Sequence, residues 1–474
     1  KIHYPKFNEL LVQNTKQLLK NNDLNMKKKF SALMLLCTVA LSLLAQRHDY
    51  NWIIGERCDD PADLCTRRIS FEQWPPKVKV WNDQLPYFFG SQMTCSDSAG
   101  RIIFYGNGTQ LRNRNRQAMK GSSLIKFGPY PGQSGSVVVP RPGHPNQYCY
   151  FHTASHNQLC ISACNQKLMA TVIDMEGDNG LGTVLSPSDS LLDEKISLLQ
   201  ACKHGNGRDW WIIAPIVGKP RFYTFLLSPA GVEGPFVQDF PIPSEGFSDL
   251  VLPYSAVAMS PDGEHLVRTH ELDQIAQYRF DRCTGLFEYR GNMSVPPSLG
   301  AFFYVAFSPN SRMLYAAGTI NLYQADMEAW PRDPTLLRAS GFSAFPDTTV
   351  STHMMLGADG KIYVSSNFPP HRLGIIHRPD LPGLAADYSA REFYVGELPY
   401  GIPSFPNYRL GVWEDSPCDT LGFKGPHDPA FSPTYWSPRA SIQPAPCSPQ
   451  PDVQRYPSPS LYSLPARKPS IQKT

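Results

Sequence analysis

Six short turns of one kind recur along this chain, and each leads straight into a run of β-branched and aromatic residues. SDSAG (96–100) precedes IIFY, GHPNQ (143–147) precedes YCYF, and HGNG (204–207) precedes RDWWII. SPDG (260–263) precedes EHLV, SPNS (308–311) precedes RMLY, and GADG (357–360) precedes KIYV. The chemistry is that of a tight reversal: Asn and Asp tolerate positive φ, Gly takes it freely, and Pro presets the dihedral before it. Aligned on the last turn position (Gly100, Gln147, Gly207, Gly263, Ser311 and Gly360), the gaps are 47, 60, 56, 48 and 49 residues, a mean of about 52.

The runs that follow are strand-like. Ile102–Tyr105, Tyr148–Phe151, Trp210–Ile213, Phe222–Leu227, Met313–Ala316 and Ile362–Val364 are short, and none reaches helical length with a 3.6-residue period. Only Leu191–Ala201 invites a helical reading. With 45 prolines and 34 glycines in 474 residues, punctuation is dense and long helices are disfavoured. An internal period near 52 with several short strands per unit is the mark of an all-β propeller built from repeats of the WD40 or YVTN-like kind. The 357 residues from Trp52 to Tyr408 divide into close to seven such units.

The expectation is therefore seven four-stranded blades. Six turns serve seven blades if the ring is closed by terminal strands, with Asn51–Ile54 completing a sheet near Phe393–Val395; such closure hides sheet edges. FDRCTGLFEY (280–289) reads as a further strand–turn–strand unit, with LYQAD (322–326) in the equivalent place one unit later. Gly100, Asn206, Gly207, Asp262, Gly263, Asn310, Asp359 and Gly360 are thereby assigned a structural role in turns.

The ends differ from the middle. MKKKFSALMLLCTVALSLLAQ (26–46) has three lysines, an apolar run and then Ala45, the layout of a secretory signal peptide. Residues 1–25 read as an upstream extension, 26–45 as the signal, 46–411 as the propeller and 412–474 as a disordered tail. That last assignment rests on 12 prolines among residues 425–474 and on Asp428 and Asp452 as their only acidic side chains. No apolar run approaches the length of a membrane span. A formal charge of +3, from 44 basic and 41 acidic residues without a basic stripe, argues against a nucleic-acid partner.

Outside the signal, ten cysteines remain, an even number compatible with disulfides in an exported chain. Cys58 with Cys65, and Cys160 with Cys164, are the short-loop candidates. Zinc would want paired C-x2-C knuckles, which the chain lacks.

Eight phrases in order resemble a known family: SDSAGRIIFYGNG, PRPGHPNQYCYF, TVIDMEGDNGLGTV, ACKHGNGRDWWII, SPDG, FDRCTGL, ADGKIYV and IPSFPNYRLG. They are similar to the N-terminal propeller of large secreted or surface proteins of Bacteroidetes, described as gliding-motility-associated or as carrying PKD domains. The resemblance covers about residues 50–422. It implies export by type IX secretion and no catalytic residues. After SPCDTLGF (416–423) the family's PKD pattern and sorting signal do not follow, so a periplasmic location is the alternative to the cell surface.

Several groups have the composition of a site. Cys202, His204, Arg208 and Asp209 in ACKHGNGRDWWIIAP could supply a nucleophile and base, but no oxyanion donors are marked, and the glycines fit no phosphate loop because a strand follows. The same turn recurs in five other units, which favours the structural reading. His265, His270 (beside Glu271), His353, His371 and His377 could gather at a channel mouth as metal ligands, although their spacing is unspecific. Asp174, Glu176 and Asp178 alternate as in a calcium loop but lack its closing Glu. Trp210, Trp211, Tyr304 and Tyr315 could form a carbohydrate platform, or pack between blades. The sequons at Asn107 and Asn292 are at chance level.

No catalytic, cofactor or metal residue is assigned. The chain is expected to be an exported, non-enzymatic module, monomeric, binding a protein or glycan. The alternative is a secreted propeller hydrolase or lyase acting on glycans or lactones, with or without a metal ion.

Overall fold

The structure is a computed structural model. It describes residues 46–55, 66–81, 93–106, 110–125, 128–129, 136–155, 166–186, 188–241, 256–270, 274–294, 302–318, 322–330, 351–366, 372–396 and 402–421. Cys58, Cys65, Cys160 and Cys164, and with them both short-loop disulfide candidates, lie outside these residues, as do Glu271 and His371.

The described strands form seven antiparallel sheets arranged as a seven-bladed β-propeller. The first sheet is Asn51–Ile54, Arg67–Ser70 and Lys77–Val80, and the second is Met93–Ser96, Ile102–Gly106 and Leu111–Asn113. The third is larger, with Ser136–Pro140, Gln147–Ser155 and Gln166–Asp174 at its centre. The fourth runs Gln200–Lys203, Trp210–Pro215, Arg221–Ser228 and Gly231–Asp239; the fifth Val257–Met259, His265–His270, Gln274–Phe280 and Phe287–Ser294. Phe302–Phe307, Met313–Gly318 and Leu322–Asp326 make the sixth, and Ser351–Leu356, Ile362–Ser366, Arg372–Ile376 and Tyr388–Tyr394 the seventh. Four strands per blade are thus seen in the fourth, fifth and seventh sheets, while the first, second and sixth show three among the described residues.

Every expected run is a strand, and five of the six are the second strand of a blade. Leu191–Ala201 is not helical: Asp189–Leu192 pairs with the third sheet, and Gln200–Lys203 opens the fourth. The turns share one bonding scheme. The side-chain Oδ1 of Asn206, Asp262, Asn310 and Asp359 each accepts the backbone N–H two residues on, at 2.9–3.3 Å. Positive φ falls on Gly100, Gly207, Gly263, Ser311 and Gly360, but in the third blade on Asn146 rather than Gln147, so that alignment is off by one. In the first blade the connection between first and second strands lies largely outside the described residues.

Among the described residues, no ladder between terminal strands closes the ring. Asn51–Ile54 pairs with Arg67–Ser70 in its own sheet, and Tyr388–Tyr394 pairs with Arg372–Ile376, so each sheet is contiguous in sequence. The first is an inner strand and the second an outer one, in neighbouring blades, so no ladder joins them. Side chains make the seam instead: Trp52 and Phe71 of the first blade meet Tyr363 of the seventh at ring separations of 5.4 and 5.7 Å. Phe405 then stacks over Trp52.

The chain after the last blade is part of this closure. Residues 402–418 form a strap over one end of the ring, the end that carries the turns between first and second strands. Tyr408, fully buried, donates its hydroxyl to the Val138 carbonyl (2.7 Å), and its own carbonyl accepts Lys203 Nζ. Asn407 Nδ2 donates to Pro261 O, Arg409 makes a two-pronged ion pair with Asp49, and the Trp413 N–H donates to Gly205 O. A disulfide joins Cys283, in the 281–285 turn of the fifth blade, to Cys418. The propeller unit therefore continues past residue 411, where the tail was expected to begin.

Candidate functional site

The stretch 201–215 is the seat of that strap. Asn206 Oδ1 accepts the N–H groups of Arg208 and Asp209, and the buried Asp209 carboxylate accepts Asn206 Nδ2 and the Arg208 guanidinium. His204 Nδ1 accepts the Asn206 N–H at 3.0 Å, so the proton sits on Nε2, which donates to Cys283 O. Cys202 lies in the core against Gly263, with burial pushing its thiol up to about 12. A nucleophile needs a thiolate and a base with an open lone pair. Here the thiol is buried and both imidazole nitrogens are engaged within the turn and its neighbour.

Two glycines of these turns do more than turn. A Cβ at Gly205 would collide with Cys418 Sγ, so only glycine lets the disulfide rest on this loop. At Gly263, with φ +74°, a Cβ would lie 2.8 Å from Leu410 of the strap and 2.7 Å from Cys202 Sγ. Trp210 and Trp211 face opposite sides of their strand. Trp210 packs at 6.0 Å from Tyr408, whereas Trp211 donates its indole N–H to Arg282 O on the other side. Tyr304 and Tyr315 are likewise buried between blades. The aromatics are core.

Among the described side chains, His265, His353 and His377 do not gather; those of His270 and His371 lie outside the description. His265 Nδ1 pairs with Gln277 Nε2, and His377 with Glu392 and Lys361. Asp262, Glu264 and His265 bring one ligand atom each within 4.8 Å of one another, the one such group among the described residues. Asp262 Oδ1 there already accepts Ser260 Oγ and the Glu264 N–H. Asp174 Oδ1 caps the Glu176 N–H and Oδ2 accepts Gln147, a local turn rather than a calcium cage. Asn292 accepts the Tyr289 hydroxyl; the sequon at Asn107 lies outside the described residues.

A cavity of about 120 Å³ lies where the first strands of the last three blades meet the strap. Tyr304, Ala306, Met354 and Phe405 supply apolar wall, and His353, Gln200 and the Asp49–Arg409 pair supply polar wall. His353 is 6% exposed, and burial lowers its imidazole to about 3, so it is neutral at physiological pH. No motif pointed to this cavity, because the residues that build it are spread from 49 to 409.

A second perturbed group sits at the seam. The half-buried Asp359 accepts the Tyr363 hydroxyl at 2.9 Å, and desolvation raises its carboxyl to about 7. Between the ordinary carboxylate value near 4 and this value the folded state holds the extra proton, so stability falls as pH rises through that window. The lowered His48 and His353 act in the opposite sense below the ordinary histidine value, hence the comparison must be differential. Asp359→Asn, which keeps the turn acceptor, is expected to gain about 1–2 kcal/mol relative to wild type between pH 5 and pH 8. Denaturant unfolding of both proteins at the two pH values checks this; a parallel pH response refutes it.

Comparison with known proteins finds no matching family model and no matching curated protein. Solved structures that are similar include the periplasmic gluconolactonase of Pseudomonas aeruginosa, at 13% identity over 75% of this chain and 99% of that one, with a TM-score of 0.44. A 6-phosphogluconolactonase candidate of Bacteroides fragilis is 12% identical over 73% of this chain and 96% of its own, with a TM-score of 0.41. The Dos1 propeller is 10% identical over 76% and 85%, at 0.40. Likeness at this level transfers no activity; the seven antiparallel sheets themselves make the chain a seven-bladed β-propeller.

Proposed function

We propose that this propeller is an exported binding and structural module, acting at the cell surface or outside the cell without a catalytic step. The observation that carries the reading is the commitment of His204 and Asp209, in the chemically richest cluster in the sequence, to bonds that hold the strap's seat, with Cys202 buried in the core beside them. Export is supported by the signal-peptide layout of residues 26–46 and by the Cys283–Cys418 bond, since structural disulfides persist in oxidising compartments. The ordered resemblance of eight phrases to Bacteroidetes surface propellers supports the same placement. The partner is a protein or glycan, bound by a monomer.

One observation favours the alternative, a metal-assisted hydrolase or lyase: the approach of Asp262, Glu264 and His265. One experiment separates the two. The purified chain is screened for glycan and protein capture, and is offered lactones and aryl glycosides with calcium, manganese or zinc. Saturable capture without turnover is the expected result. Turnover that depends on an added metal overturns the module reading.

A further inference from the structure

We propose that an apolar patch between the outer edges of the fourth and fifth blades is a docking site for this chain's own segment 431–436, FSPTYW, which follows the strap. The inference does not depend on the module reading.

The patch is built around the buried ring of Trp211. Phe236, on the outermost strand of the fourth blade, meets that ring edge-on at 6.2 Å, and a Cβ at Gly285 of the fifth blade would lie 2.7 Å from it. Gln238 ties the two blades together here: its Nε2 donates to Phe287 O, and its Oε1 accepts the Phe287 N–H. Phe236 shares a face with Gln238, since the two pair with Thr224 and Phe222, which are two residues apart on one strand. Phe236 and Leu286 therefore flank the indole, yet they are 49% and 59% exposed. Large apolar side chains left open together mark an interaction surface. A further strand is a poor cover for this edge, because Pro235 in Gly231–Asp239 has no N–H to offer a ladder. The occupant has to engage side chains.

The course of the chain names that occupant. Cys283 lies three residues before Leu286, and its disulfide holds the Cα of Cys418 5.5 Å from its own. The described residues end at Leu421, three positions further, so the chain leaves the strap beside the patch. Phe431 is ten residues beyond, a reach of up to about 35 Å when extended. Residues 422–474 contain six aromatic side chains, Phe423, Phe431, Tyr435, Trp436, Tyr456 and Tyr462, and three of them fall within 431–436. Pro429, Pro433 and Pro438 restrict the backbone in advance, which lowers the entropy lost on docking. Charge agrees: the exposed Glu233 at the rim enters no ion pair among the described residues, while residues 424–474 carry six basic side chains against two acidic. Tethering raises the local concentration to the order of millimolar, so a contact too weak to hold a free peptide still fills the patch.

The test uses the full chain and reads amide hydrogen exchange of residues 431–436 together with hydroxyl-radical oxidation of Phe236. In wild type these amides are expected to exchange at least about tenfold more slowly than in the double variant Phe236→Ser, Leu286→Ser. Trp436→Ser, which alters no described residue, should raise oxidation of Phe236 about threefold or more. Exchange of residues 431–436 in wild type at the rate of an unstructured peptide overturns the proposal, as does protection that survives the double variant. Protection that rises with protein concentration assigns the patch to a second copy of the chain and overturns it as well. Should the double variant not fold, the response of Phe236 to Trp436→Ser decides: unchanged oxidation refutes the docking.

Discussion

Tyr408→Ala is expected to lower stability by about 4 kcal/mol, one of the two largest effects foreseen. The side chain is fully buried, packs against Trp210 at 6.0 Å and His48 at 4.9 Å, and anchors through its hydroxyl on Val138. Deleting a buried aromatic ring costs about 3–5 kcal/mol through lost burial and the cavity left behind. The Val138 carbonyl also loses its partner, which adds about 1 kcal/mol. Tyr408→Phe should show only that last part. The melting temperature should drop by about 10 °C for Tyr408→Ala and by a few degrees for Tyr408→Phe. The physical point is closure: without a shared strand, the strap joins blades that are distant in sequence, so its best-buried residue matters to the whole ring. A loss below about 1 kcal/mol for Tyr408→Ala would show that the propeller closes without the strap.

Cys283→Ser is expected to cost about 2–4 kcal/mol and to weaken the response to reductant. The bond spans a sequence separation of 135, so in the chain-entropy picture it restrains a long loop of the unfolded state, with a ceiling of about 5 kcal/mol. The strap's own hydrogen bonds to Pro261, Gly205 and Val138 remain in the folded state of the variant, so the change should appear as faster fraying of residues 410–418 as well as lower stability. Dithiothreitol should lower the melting temperature of wild type by more than it lowers that of the variant. Equal melting temperatures for wild type with and without reductant would contradict this. Cys95, Cys149 and Cys202 are buried thiols and should not exchange into the bond while the protein is folded.

Much of the fold was legible. Asp262 and Gly263 announced their turn because an Asx side chain bonding two residues ahead and a glycine at positive φ are local requirements. The alternation and β-branching of FYTFLL and IIFY likewise declared strands. The one-residue slip at Gln147 shows the limit of such alignment: Asn146 takes the positive φ in place of the usual glycine, and nothing nearby marks which residue will. Leu191–Ala201 misled for a related reason. Its apolar spacing suits a helix, but its two ends are drawn into different sheets.

The candidate site was far less legible. His353 stood out only as one histidine among several; its meaning comes from Tyr304, forty-nine positions earlier, and from Phe405, fifty-two later. The partner of Cys283 was hidden in a segment whose proline content resembled a tail, and the nearby pairs 58/65 and 160/164 drew attention instead. Loop length says little about which cysteines meet, since that depends on where the ring places their backbones.

By itself, then, the sequence determined the repeat, the strands, the turn chemistry and the all-β class, because each follows from bonds and dihedrals within a few residues of one another. The tertiary structure alone decided how the ring closes, which cysteines join, what the 201–215 turn supports and where a cavity opens under the strap. Those are contacts between residues up to 360 positions apart, as in Arg409 with Asp49. Their geometry exists only once seven blades have packed into a circle.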